Sequence, residues 1–438
     1  MTAQLDAHTG PHDSQGRARN LAVIAAAFLL TAPWVVLNAQ GAHPPPLMMA
    51  ALSGMAILGA AFLLSWAAEV FQMDVSQALA LALLALIAVL PEYAVDAVFA
   101  FEAGRDPALA QEGYAVANMT GANRLLIGLG WSSIVLVAWF RHGARSVALE
   151  RSQALEMSVL LAATAYALFI PFKGELGLID TVVLVTLFGL YTWATSRAPA
   201  EEPHLIGPAA TIGATGTRPR RLLTVFFFIF AAYVIFIAAH PFAEGLVETG
   251  RAYGVDEFLL VQWLAPLASE APEFIVALLF VWRGQAAAGM RTLVSSKVNQ
   301  WTLLIATLPV VFSFGSGHLG GMPLVERQQH ELWLTAAQSL FAIVLISEFA
   351  MNRWEAMGLL VPFVVQLLMP AHVGGVDVRM GFTAGYVIVA ILMLVLDRRR
   401  RDAIRRWPEY VRESVAGTRA ETEEMGEPAS STGSSVVR

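Results

Sequence analysis

Long apolar runs alternate with short polar breaks along the whole chain, and that alternation sets the architecture. Twelve apolar segments stand out, at 21–39, 47–71, 77–101, 114–139, 155–171, 178–195, 221–240, 256–281, 288–314, 332–350, 356–371 and 379–396. Most are close to the ~20 residues a helix needs to cross ~30 Å of hydrocarbon; the runs at 155–171, 178–195 and 356–371 are short for it. The pattern predicts an all-α polytopic membrane protein of about 12 transmembrane helices. The longest break, 196–220, holds Pro199, Glu201, Glu202, Pro203, Pro208 and Pro219, and divides the chain into two halves.

Composition agrees with this reading. Of 438 residues, 57% are hydrophobic and 14% charged, against roughly 45–50% and roughly 25% in soluble proteins, which excludes a water-soluble globular fold. A net charge of −6 is small for this length and argues against nucleic-acid binding. Cysteine is absent, so disulfides, thiolate metal sites and a cysteine nucleophile are excluded. Basic residues add direction. Clusters at Arg17 and Arg19, at Arg141, Arg145 and Arg151, at Arg197, Arg218, Arg220 and Arg221, at Arg283 and Arg291, at Arg353, and at Arg398 to Arg401 all fall on one side of a twelve-span chain. The opposite loops carry single bases only: Arg105, Lys173, Arg251, Arg327 and Arg379. The positive-inside rule then places both termini in the cytoplasm, in the plasma (inner) membrane of a bacterium. Residues 1–20 read as a polar cytoplasmic segment and 398–438 as a cytoplasmic tail, acidic from Glu421, then Ser/Gly-rich and expected to be disordered.

A motif occurs twice. The third segment reads Ala88-Val89-Leu90-Pro91-Glu92-Tyr93-Ala94-Val95-Asp96, and the eighth Ser269-Glu270-Ala271-Pro272-Glu273-Phe274-Ile275. Each Pro-Glu lies within an apolar span and is followed by a helix with an embedded Asn, Ala122-Asn123 in one and Val298-Asn299 in the other. The two segments are an odd number of crossings apart, so the copies run in opposite directions and form inverted repeats. The repeats occupy 47–195, with its motif at 85–130, and 221–371, with its motif at 264–306. The linker 196–220 joins them, and one extra helix lies at each end, within 21–46 and 372–397.

The paired motifs resemble the two α-repeats of the cation/Ca2+ exchanger superfamily, which includes sodium/calcium and proton/calcium exchangers. Ala117-Asn118 and Gly121-Ala122-Asn123 match the Asn-bearing half of its first repeat, and Phe242 to Glu248 with Gly254 to Phe258 resembles the approach to its second. The resemblance implies a five-plus-five inverted core and a cation antiporter that moves Ca2+ or a monovalent cation against Na+ or H+. Two departures stand out: hydroxyl residues are missing before Pro91, and Lys297-Val298-Asn299 stands where a Gly-Ser-Asn is expected.

Carboxylates at membrane depth are costly and therefore point to function. Glu92 with Asp96, and Glu270 with Glu273, each share a helical face, so up to four carboxylates can converge where the repeats meet. Glu92 and Glu273 are the expected metal ligands or proton carriers. Each preceding Pro removes a backbone hydrogen bond and frees carbonyls for hard cations, and Asn118, Asn123, Asn299, Ser269, Ser295 and Ser296 can complete an oxygen shell. Two bases complicate the charge balance. Arg124 and Lys297 either pair with Asp96 and Glu270 as internal braces, or Lys297 occupies a cation position and gives up its proton when an ion enters. The brace reading corresponds to a protein that keeps the fold without transporting. Glu69, Glu244 and Glu248 lie near helix ends, and Glu348 has Arg353 as its nearest prospective partner. No nucleotide loop, nucleophile elbow or zinc signature is present, so no enzymatic activity and no cofactor beyond transported cations is expected.

Overall fold

A computed structural model describes residues 11–74, 90–197, 205–370, 372–373 and 375–426. The helices that build the bundle are α1 (Pro11–Ala39), α2 (Pro46–Phe71), α3 (Leu90–Arg105), α4 (Tyr114–Leu125), α5 (Ser132–His142), α6 (Ala154–Ala167), α7 (Leu178–Thr195) and α8 (Thr217–Tyr253). They continue as α9 (Glu257–Trp282), α10 (Ala286–Asn299), α11 (Ile305–Ser316), α12 (Glu326–Leu345), α13 (Arg353–Leu368), α14 (Val378–Leu396) and α15 (Arg398–Gly426). A π-helical turn, Leu126–Trp131, joins α4 to α5 without a break, and a second, Gln300–Leu304, joins α10 to α11. Among the described residues nine helical stretches are long and apolar enough to span a membrane. The three remaining expected segments fall on α3, α12 and α13. The start of the third segment, with Ala88 and Val89, lies outside the described residues.

The two halves interlock. Helix α2 packs along α8, α3 along α11, and α4 along α9, so each motif-bearing helix of one half lies against the other half. Glycine makes two of these crossings close. A Cβ on Gly104 would sit 2.3 Å from the Phe312 carbonyl oxygen, and one on Gly121 would sit 1.8 Å from that of Gln262. Short antiparallel pairs tie the halves at both faces: Ser146–Ala148 with Ala350–Asn352, and Glu175–Leu176 with Met322–Pro323. The outer wall is apolar, with Phe236 83%, Leu396 77% and Ile179 75% exposed. That is the surface a bilayer covers, and the helices satisfy their own backbone groups inside it.

Three expectations change. Helix α8 continues through Pro241 to Tyr253, well past the expected end at 240, so Glu244 and Glu248 ride on its final turns. Helix α12 stops at Leu345, which leaves Glu348 exposed in the following turn, while Arg353 lies over the rings of Trp139 and Trp354. The segment expected to be a disordered tail is helical from Arg398 to Gly426. Its anchor is chemical. Arg400 Nη1 donates to the carbonyls of Val344 (2.7 Å) and Leu345 (2.6 Å), Arg400 Nη2 donates to Glu355, and buried Trp407 donates to Ser347 O at 3.2 Å. These bonds satisfy carbonyls that the end of α12 leaves open. Residues 427–438 lie outside the described residues.

Candidate functional site

Four helices bring the motif residues together. Helix α3 carries Glu92 and Asp96, α4 carries Asn118, Asn123 and Arg124, α9 carries Ser269, Glu270 and Glu273, and α10 carries Lys297 and Asn299. Glu92, Asp96, Asn118, Asn123, Arg124, Glu270 and Lys297 are each at most 2% exposed, and Ser269 and Asn299 are buried. Glu273 is half-buried.

Amides, more than charges, meet these acids. Asn118 Nδ2 donates to Asp96 Oδ1 at 2.8 Å, Gln300 Nε2 donates to Glu92 Oε1 at 3.2 Å, and Ser296 donates to Glu273. Tyr93 donates to Asn299 Oδ1 at 3.0 Å, and Asn123 Nδ2 donates to Met119 O at 2.8 Å. The Ser269 hydroxyl is turned back onto the carbonyls of Ala265 (3.3 Å) and Pro266 (3.4 Å), so it serves its own helix. Among the described residues, what remains is a set of buried oxygens with no hydrogen-bond partner: Glu92 Oε2, both carboxylate oxygens of Glu270, Asp96 Oδ2, Asn118 Oδ1 and Gln300 Oε1. Buried acceptors are normally paired, and an unpaired one costs about 1–3 kcal/mol. These oxygens come from both repeats, from α3 and α4 of the first and from α9 and the π-turn after α10 of the second. Asp96, Glu270 and Glu273 all act electrostatically on Glu92. Yet among the described residues no three His, Asp or Glu side chains stand close enough to hold a metal by themselves, so the expected convergence of four carboxylates becomes a mixed set of carboxylates and amides.

Proline adds a carbonyl. Pro266 lies within α9 and has no N–H for the oxygen of Gln262, four residues earlier. That freed oxygen faces Gly121, the position at which any Cβ would collide with it.

The two bases differ from their expected braces. Arg124 pairs with Glu331 of α12 at 2.9 Å and lies over the Trp263 ring at 5.0 Å, not against Asp96 or Glu270. Glu331 in turn meets Arg379 at 3.5 Å, and Arg379 meets Asp377 at 2.6 Å, so a chain of charges, buried at Arg124 and Glu331 and partly exposed beyond them, ties α4 to the extra helix α14. Lys297 Nζ donates to Asn123 Oδ1 at 2.6 Å and lies 4.2 Å from the centre of the Trp301 ring. It thus rests on an amide and an aromatic face, while Glu270 acts on it from further away.

Each repeat carries a π-turn directly after its Asn-bearing helix, at Leu126–Trp131 and at Gln300–Leu304. Asn123 and Lys297, each three residues before the start of its turn, touch where the repeats meet. Gln300 and Glu331 were missed in the sequence; the position of Gln300, directly after the Asn of the second motif, was the available signal.

The sequence model of the sodium/calcium exchanger protein family matches residues 46–197 and 223–371, well over half of the chain. The chain belongs to the sodium/calcium exchanger family. A crystal structure of an H+/Ca2+ exchanger, CAX, is 42% identical, superposes with a TM-score of 0.85, and is covered over 99% of its length by 91% of this chain. The Ca2+/H+ antiporter protein YfkE is 15% identical with a TM-score of 0.56, covering 84% of this chain and 99% of its own, a likeness of fold alone. No curated protein sequence matches the chain at comparable stringency. Members of this family are multi-pass membrane transporters, and the bundle with its motif helices crossing between halves has that form.

Proposed function

We propose that this exchanger-family protein is a secondary-active antiporter that exchanges Ca2+ for protons at the site between its two repeats. The observation that carries this reading is the cluster of buried, unpaired oxygens contributed by both repeats. Glu92 and Glu273, one on each Pro-Glu motif, are the groups that take either the cation or a proton. The same oxygens cannot hold both, so loading by one expels the other. Opposed rocking of the repeats then opens the site to one side at a time. Similarity to the H+/Ca2+ exchanger favours Ca2+ as cargo and the proton as counter-ion.

Lys297 is the second element. Its ammonium fills the position at Asn123 Oδ1 that a free cation would otherwise take. Arrival of a divalent ion among Glu92, Glu270 and Glu273 repels that ammonium, which leaves as a proton and a neutral amine. The chain uses no covalent chemistry in such a cycle. One-sided clustering of arginine supports placement in a bacterial inner membrane with both termini in the cytoplasm. The brace reading gains support only from Arg124, whose partner Glu331 lies outside the motifs.

Proteoliposomes that report internal Ca2+ and pH, offered Ca2+, Na+ and K+ separately, test the reading. Wild type takes up Ca2+ with matching proton release, and Glu92→Gln and Glu273→Gln each reduce flux to that of empty vesicles. Undiminished flux in both variants refutes it, and Ca2+ movement driven by Na+ with no pH change assigns a different counter-ion.

A further inference from the structure

The turn that follows α12 holds a strained residue. Phe349 has φ at 57°, and among the described residues it alone of the non-glycines has a positive φ. For a bulky side chain that conformation is an outlier, kept only where the surroundings impose it. Its carbonyl lies on a seam between the repeats. Phe349 O accepts from Leu149 N–H at 2.7 Å, and so extends the antiparallel pair between Ser146–Ala148 of the first repeat and Ala350–Asn352 of the second.

Helix α15 grips this seam at three places. Before the second strand, the Phe349 ring packs edge-on against Trp407 and Tyr410, with ring centres 6.3 and 5.8 Å apart, and Trp407 Nε1 donates to Ser347 O at 3.2 Å. At the far end of that strand, Arg400 donates to Glu355 Oε1, while Glu355 Oε2 accepts the backbone N–H of Asn352 at 2.8 Å. On the first repeat Arg151, two residues beyond Leu149, lies 5.1 Å from the centre of the Tyr410 ring. Arg400, Trp407 and Tyr410 are spaced by seven and three residues, which puts them on one face of α15. Asp397 alone separates α15 from α14, so the joint is a single residue.

We propose that α15 is an autoinhibitory strap. Docked, it keeps Phe349 in its strained turn and the strands paired, which resists relative movement of the repeats. Undocked, it lets the turn relax and the pair loosen, and the exchanger cycles faster. The proposal rests on the rocking of the repeats stated above. An interaction made at rest and lost during movement raises the barrier to that movement by its full strength.

Hydrogen exchange of the full chain in nanodiscs, together with Ca2+ uptake at saturating Ca2+ in proteoliposomes, tests this. Arg400→Gln/Trp407→Ala undocks α15, and the amides of 147–149 and 350–352 lose protection. The maximal uptake rate rises about tenfold, the effect of releasing one strained residue, with the half-saturating Ca2+ concentration unchanged. The chain has no cysteine, so Arg151→Cys/Tyr410→Cys supplies the only two thiols, which a bifunctional disulfide-forming reagent joins. The joined protein runs slower than the same sample after reduction, which covers the case in which the undocked variant fails to fold. Unchanged amide protection in the undocked variant, uptake no faster than wild type with the fold intact, or equal rates before and after reduction overturns the proposal. A wild type that moves no Ca2+ refutes the antiporter reading and with it the inhibition of transport, and amide protection then decides separately whether α15 holds the pair.

Discussion

Replacing Lys297 separates its two roles. Its side-chain nitrogen donates to Asn123 Oδ1 at 2.6 Å and lies 4.2 Å from the centre of the Trp301 ring. In the charged form such contacts contribute about 1.5–3 kcal/mol and about 2 kcal/mol, which offset part of the cost of burying an ammonium. If that ammonium leaves as a proton when cargo binds, each cycle releases one proton from Lys297 besides those from the acids. Linkage then sets the magnitude: every proton released on binding makes cargo affinity change about tenfold per pH unit. Lys297→Met keeps a similar volume and removes one such proton, so its affinity should vary with pH about tenfold less steeply per unit than wild type. Lys297→Arg keeps the charge but cannot release it, and should block transport while the protein still folds. The assay is dye-reported Ca2+ affinity across a pH series in proteoliposomes, with proton release recorded in parallel. An unchanged pH slope in Lys297→Met with flux intact, or equal loss of flux in both variants, refutes the titrating role and leaves Lys297 as an anchor.

Three further outcomes follow from other contacts. Gly121→Ala puts a methyl group 1.8 Å from the Gln262 oxygen, backbone against backbone, so α4 and α9 must separate; overpacking of this kind costs about 1–3 kcal/mol, and an unchanged melting temperature in detergent contradicts the close crossing. Glu331→Gln leaves Arg124 buried and uncompensated, a loss of about 3–5 kcal/mol that Arg124→Met should largely restore in the double variant; strict additivity in thermal unfolding argues against the pair. Asp74, at the foot of α2, is held below the usual carboxylate range, chiefly by its hydrogen bond to Arg220 and also by Arg221. A lowered carboxylate contributes stability that is present above its unfolded value and lost as pH falls through the folded one. The difference in stability between wild type and Asp74→Asn should therefore stay flat from neutral pH down to about 5 and shrink only below about 4; a difference that changes near neutrality contradicts this.

What the sequence made legible was what local pattern encodes. Apolar run length located the helices, Pro-Glu recurrence exposed the inverted repeat, and depth within a span picked out Glu92, Asp96, Glu270 and Glu273. Partner choice was not legible, because it depends on which faces meet across the bundle. Arg124 is adjacent in sequence to Asn123, yet a helix turns about 100° per residue, so the first points toward α12 and the second toward Lys297. The contact of Lys297 with Asn123 was hidden for the same reason, since it joins α10 of the second half to α4 of the first. The tail misled because composition weighs charge without asking what it caps: Arg400 and Trp407 hold α15 through the open carbonyls at the end of α12.

The contact between Lys297 and Asn123 has a consequence for the exchange itself. Two inverted repeats with identical charges would present the same site to either side. Here an amide of one repeat, Asn123, faces a lysine of the other, Lys297, so one fixed base travels with the second repeat. A site that already contains a cation has less room for several monovalent ions and more reason to take a single divalent one, whose entry displaces that charge. Competition between Ca2+ and Na+ in Lys297→Met tests this: freeing the position at Asn123 should admit Na+ as a competitor that wild type ignores. Equal insensitivity to Na+ in both proteins would show that the asymmetry of the repeats does not select the cargo.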